Sequence, residues 1–205
     1  MTNLDSFSLV HWRRTVAEMY ADVRRCGAVE PQLTWERFWA ARDDLFANHA
    51  QTPLSAEQRQ GFQGVPRWDY NPAYRVMGRL DKAVEADTFE SDLPEGRFSY
   101  TRVGRVQFEL EGKAAQLSLF WINAYGGGLF LPFRDATNGQ QTYGGGRYLY
   151  DTIKGADLGA GNDEIVLDFN YAYHPSCAYQ HIYTCPLSPA ENKLPLAIEA
   201  GEMSL

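Results

Sequence analysis

The chain has 205 residues, 44% hydrophobic and 22% charged, which is enough for one sizeable core and the wrong composition for global disorder. A formal net charge of −7 without any Lys/Arg run speaks against a general nucleic-acid binder, and no apolar stretch approaches the ~18 residues a membrane helix needs. Three cysteines make no disulfide framework, and MTNLDSFSLVHWRR lacks the basic-then-apolar pattern of a signal peptide, so the expected setting is a reducing cytoplasm.

The first third reads as helix. From Ser8 the apolar residues Leu9, Trp12, Val16, Met19, Tyr20 and Val23 recur at three and four, and Gly27 stands where a left-handed cap is wanted. Thr34 reads as the N-cap of a second helix bearing Trp35, Phe38, Trp39, Ala41, Leu45 and Phe46. A short third turn, SAEQRQ, begins at Ser55 as its cap.

Beyond about Phe62 the period changes from 3.6 to 2. RVQFELEG alternates Val106, Phe108 and Leu110 with Gln107 and Glu109, and KAAQLSLFWI alternates Ala115, Leu117, Leu119 and Trp121 with Gln116, Ser118 and Phe120. Glu111-Gly112-Lys113 between them predicts a hairpin turn. Further strands are expected over residues 74–76, 82–85, 98–102, 128–133, 147–150, 164–171 and 196–198. No gap carries a long helical pattern, so the strands are expected to be antiparallel.

Four ordered segments then stand out: LFLPFRDATNG (Leu129–Gly139), QTYGGGRYL (Gln141–Leu149), VLDFNYAYHPSCAY (Val166–Tyr179) and CPLSPAENKLPLAIEAGE (Cys185–Glu202). With WAARDDLFANHAQTPLS and GFQGVPRWDYNPAYRV upstream, the series resembles a prokaryotic family known only as a conserved domain of unknown function. The resemblance covers roughly Trp35 to Glu202. It implies that Cys177 and Cys185 belong to the family signature, whereas the position of His174 more often holds Asn and that of His181 varies. It brings no activity, substrate or cofactor with it.

His174, Cys177, His181 and Cys185 fall within twelve residues, at intervals that zinc ligation permits. One short segment would have to wrap the ion alone, however, so the expectation is no metal and two packed thiols. Cys177 is a candidate nucleophile if His174 or His181 serves as its base. In FRDATNGQQTYGGGRY, three glycines leave backbone N–H groups uncovered, and Arg134 and Arg147 suit a carboxylate or phosphate. The plainer reading makes the same stretch a glycine-bulged hairpin whose arginines pair with Asp135 and Asp168. LDFNYAY, read as strand, places Asp168 and Asn170 on one face and Leu167, Phe169 and Tyr171 on the other.

The expected architecture is α+β: N-terminal helices, residues 1–60, packed on the same core as an antiparallel β-barrel or strongly twisted sandwich over residues 61–205. The leading functional expectation is a small-molecule binding barrel for an anionic metabolite, using Arg134, Asp135, Tyr143, Arg147, Asp168, Asn170 and Tyr173. No cofactor, nucleic acid or membrane is expected, and no oligomeric state follows from the residues. The alternatives are a small-molecule hydrolase or transferase using Cys177 or Asp168, and a structural or interaction protein whose polar residues pair among themselves.

Overall fold

The computed structural model describes residues 6–93 and 96–205. The N-terminal stretch read as lacking a leader begins outside them. Helix α1 (Ser6–Cys26) ends one residue before Gly27, as its periodicity predicts. Gly27 is not left-handed; it is kept small because a Cβ there would lie 2.6 Å from the Val23 carbonyl oxygen. Helix α2 (Pro31–Asn48) starts three residues ahead of the expected cap, because Pro31 has no N–H to satisfy and a preset φ suited to a first turn. Thr34 is therefore buried inside the helix. In α3 (Ala56–Gln60) Ser55 caps as expected, and the Gln58 side chain answers it in a capping box.

Among the described residues seven antiparallel strands follow: β1 (Arg75–Asp81), β2 (Thr88–Leu93), β3 (Gly96–Leu110), β4 (Lys113–Ile122), β5 (Gly128–Phe133), β6 (Arg147–Asp151) and β7 (Glu164–Asp168). Their order is β6-β5-β4-β3-β1-β7, with β2 paired to β3. The expected segments 98–102 and 105–112 fuse into the single long β3, which bends at a bulge between Arg102 and Gly104. Glu111 and Gly112 form the hairpin turn with φ of 52° and 73°, as two-residue hairpin turns require. Residues 82–85 are irregular rather than strand, and so are residues 196–198.

The sheet is a curled half-barrel. Its end strands β6 and β7 are not joined by a ladder, but the Tyr150 hydroxyl bridges them by hydrogen bonding to the carbonyls of Gly159 and Val166. Both faces are covered over the second half of β4, β5 and β6, whereas Met77, Arg79, Glu109 and Gln116 leave one face of β1, β3 and the start of β4 open to solvent. The main core lies between the sheet and α1/α2, where Trp39 is fully buried and Phe38 meets Tyr171 edge-on at 4.8 Å. A second cluster of Tyr100, Phe120, Ile122, Phe130 and Tyr148 packs with Phe89 of β2. Two-sided burial explains why Ser118 and Phe120, read as the outward phase of β4, are both buried.

Asn192 closes a gap between β4 and β5. Its side chain takes the place of a strand neighbour, accepting from the Ser118 N–H and donating to the carbonyls of Ser118 and Pro132. Pro132 lacks a ladder donor, and the β5–β6 register shifts beside it.

Candidate functional site

Where α1 and α2 meet β6 and the segment after β7, the structure encloses a cavity of about 80 Å³. Helix α1 contributes Trp12 and Tyr20, α2 contributes Arg42 and Phe46, and β6 contributes Tyr148 and Asp151. Tyr173, His174, Ser176 and Tyr179 complete the wall, and Lys154, half-exposed, sits at its edge. The walls are aromatic, with a few charges set among them, the usual make-up of a small-ligand site.

Arg42 is the centre of this arrangement. It lies on the apolar stripe of α2, three residues beyond Trp39 and four before Phe46, so the helix carries it inward. Its guanidinium sits 4.6 Å from the Phe46 ring centroid and 5.3 Å from that of Tyr173. One amino group donates to Glu202 at 2.7 Å, a pair in which the Glu202 side chain is wholly buried. Arg42 Nε has no partner.

Glu202 in turn faces His174, whose Nδ1 lies 3.4 Å from Oε1. The other ring nitrogen of His174 accepts the Tyr143 N–H at 3.1 Å, so the ring proton belongs on Nδ1, pointing at Glu202. Burial alone would raise the Glu202 carboxyl. The charge of Arg42, with His174 close by, outweighs it and holds the group below its ordinary value.

Asp151 is buried at the end of β6. One carboxylate oxygen lies 3.5 Å from Lys154 Nζ, and the other, Oδ1, is buried without any partner. Burial also pushes the Tyr20 and Tyr173 phenols well above their ordinary range, so both remain neutral donors.

The residues singled out in the sequence are distributed over four places. Tyr173 lines the cavity. Asp135 and Arg147 form a fully buried ion pair at 2.8 Å; Arg147 also donates to the carbonyls of Ile198, Ala200 and Glu202, and Asp135 accepts from Thr137. Those bonds hold the irregular C-terminal segment against β6 and thereby set Glu202 opposite Arg42.

Asp168 and Asn170 do not share a strand face, because β7 ends at Asp168 and residues 169–171 turn as 3₁₀ helix. Asp168 accepts from the Asn170 backbone and side chain and faces Arg75 at 3.5 Å. Asn170 clips the Asn71 peptide from both sides, accepting its N–H and donating to its carbonyl. Burial raises the Asp168 carboxyl to about 6, against the Asn170 hydrogen bonds and the Arg75 charge.

Tyr143 stands beside Cys177, and Arg134 lies close to Gly146, with its Nε buried and unpartnered. The glycine triplet is built for close packing: a Cβ on Gly146 would lie 2.5 Å from the Phe133 carbonyl oxygen, and one on Gly145 2.3 Å from the Tyr143 ring. Of the possible zinc set, His181 is exposed and His174 is turned to Tyr143 and Glu202. Among the described residues no three His, Cys, Asp or Glu side chains gather as metal ligands would. Neither histidine is placed as a base for Cys177 by any of these contacts.

A family model for proteins of unknown function, DUF1684, matches residues 60–203. The chain belongs to the DUF1684 family. The DUF1684 match takes in Asp151, Tyr173, His174 and Glu202 but stops short of Tyr20 and Arg42, which the N-terminal helices supply. The fold resembles the solution NMR structure of an uncharacterised protein from Haloarcula marismortui, 35% identical, with a TM-score of 0.60 over 85% of this chain and 93% of that one. No curated protein matches. No described helix is long and apolar enough to cross a membrane.

Sequence reasoning missed Arg42, Asp151, Lys154 and Glu202. A signal existed for Arg42 alone, a charge on the buried stripe of an amphipathic helix. Asp151 and Glu202 sit in segments without a periodicity that would mark them as inward.

Proposed function

We propose that this DUF1684 protein binds a small polar metabolite in the cavity between α1/α2 and the sheet. The ligand class is an acid of about half a dozen heavy atoms that also carries a hydroxyl or amine donor, a size in keeping with the enclosed volume. One observation carries the reading: three buried polar atoms on residues of the same cavity, Asp151 Oδ1, Arg42 Nε and the Tyr179 hydroxyl, have no partner within the protein, and the first two call for a donor and an acceptor respectively. Buried polar groups are ordinarily satisfied, and a ligand offering both a donor and an acidic acceptor would satisfy those two. Lys154 at the edge supplies a second cation for the acid, and Tyr20 and Tyr173 supply neutral phenols.

The hydrolase or transferase reading would draw on Cys177 or Asp168, neither of which lines this cavity. The ligand-free structural reading draws support from the buried Arg147–Asp135 ion pair, whose bonds hold the C-terminal segment, but it leaves the unpartnered atoms at the cavity without a role.

Native mass spectrometry of gently purified protein, compared with its denatured mass, tests the proposal. The expected result is a small organic adduct that Asp151→Asn loses while its circular dichroism is unchanged. Equal masses, with no rise in melting temperature across a panel of small hydroxy and amino acids, would overturn it.

A further inference from the structure

We infer that Cys177 and Cys185 form a peroxide-reactive dithiol, a modification site whose substrate class is a small hydroperoxide. The Cys177 N–H donates to Cys185 Sγ at 3.4 Å, which lays one cysteine against the other. Both side chains are partly exposed, so a small oxidant reaches them. The residues between them carry no strand pairing, and although Tyr179 is anchored against Phe46, His181 and Ile182 are exposed and Cys185 lies in irregular backbone, where closing a disulfide breaks no ladder.

The pair is asymmetric. A hydrogen bond from the Cys185 thiol, against the opposing effect of burial and with help from the Tyr143 hydroxyl, lowers the Cys177 thiol to about 6. Cys185, the donor, is pushed far the other way and keeps its proton. Lys154 adds a favourable charge. We therefore assign Cys177 as the attacking sulfur and Cys185 as the thiol that resolves it.

The chemistry balances with the hydroperoxide as oxidant. Cys177 thiolate attacks the terminal peroxide oxygen, the O–O bond breaks, and the leaving alkoxide takes a proton to depart as an alcohol, or as water from hydrogen peroxide. Cys177 is then a sulfenic acid. Cys185 sulfur attacks it, the S–O bond breaks, and water leaves with the Cys185 proton, closing a Cys177–Cys185 disulfide.

The test treats the full-length protein near pH 7 with limiting hydrogen peroxide. The expected result is the loss of two hydrogen atoms from the intact mass, peptide mapping that joins Cys177 to Cys185, and reversal by dithiothreitol. Cys26, at the end of α1, is the internal control and should react at least ~10-fold more slowly, since Cys177 and Cys185 lie against each other and Cys26 stands on another element. Cys185→Ser should accumulate a dimedone-trappable sulfenic acid at Cys177, and Cys177→Ser should give neither product. Cys177 oxidising no faster than Cys26, or running to sulfinic acid while Cys185 stays free, would overturn the inference. The wild-type mapping decides the matter even if a serine variant folds poorly.

Discussion

Arg147 and Asp135 meet at 2.8 Å in a pair from which solvent is wholly excluded. Twelve residues apart in the chain, they join β6 to the loop after β5, and the remaining Arg147 donors hold the C-terminal segment. Removing one member leaves the other charge buried and alone. Arg147→Met and Asp135→Asn should each lower unfolding stability by ~3–5 kcal/mol in urea melts, and the double variant by much less than the sum. Additive losses would show that the two charges do not depend on one another.

Glu202→Gln keeps the shape of the side chain but leaves the Arg42 charge unmatched, for an expected loss on the order of 3–5 kcal/mol at neutral pH. The folded Glu202 carboxyl lies below its ordinary 4.5, so its contribution is full above that value and declines as pH falls through the folded value. Wild-type stability should therefore fall in acid, and the gap to the variant should narrow. A gap that stays constant down to pH 3 would contradict the assignment.

Asp168 has the opposite sign. Its folded value is raised from 3.8 to about 6, so the folded state holds the proton more tightly, and stability falls as pH rises between those values. Asp168→Asn, which keeps an acceptor for Asn170, should gain relative to wild type across that window by an amount on the order of 1–3 kcal/mol. A pH-independent difference in chemical denaturation would argue that the Arg75 charge has already cancelled the cost of burial.

Gly146 has φ of 99° and no room for a Cβ beside the Phe133 carbonyl, so Gly146→Ala should cost roughly 1–3 kcal/mol. A Cβ on Gly144, two residues earlier, meets nothing closer than 4.0 Å, and Gly144→Ala should be nearly silent in the same thermal melt. Equal effects at both positions would contradict the close-packing account of the triplet.

Much of the fold was legible in short windows. The α1 stripe, the Ser55 cap, the Glu111-Gly112 hairpin and β5 all follow from side-chain period and turn chemistry, which are set by immediate neighbours. The errors have local causes as well. Pro31 overrode Thr34 as a helix start. The 3₁₀ turn over residues 169–171 broke an alternation that looked like continuous strand, moving Asn170 from a ligand-facing reading to a clip on Asn71.

The candidate site was much less legible. Tyr173 was named among its residues, whereas Arg42, Asp151 and Glu202 were not. Arg42 and Glu202 are 160 residues apart and have no shared pattern to betray them. Charged residues reveal little about burial in a single chain, because a solvated and a paired arginine are written alike.

The sequence by itself determined the alternation of helix and strand periods, the antiparallel class and membership of a family of unknown function, since periods and turns depend on residues a few positions apart. Only the tertiary structure decided which charges face one another. It set Arg147 against Asp135, Arg42 against Glu202, and one unpartnered oxygen of Asp151 beside a cavity, because those distances depend on how the sheet curls and where the helices settle upon it.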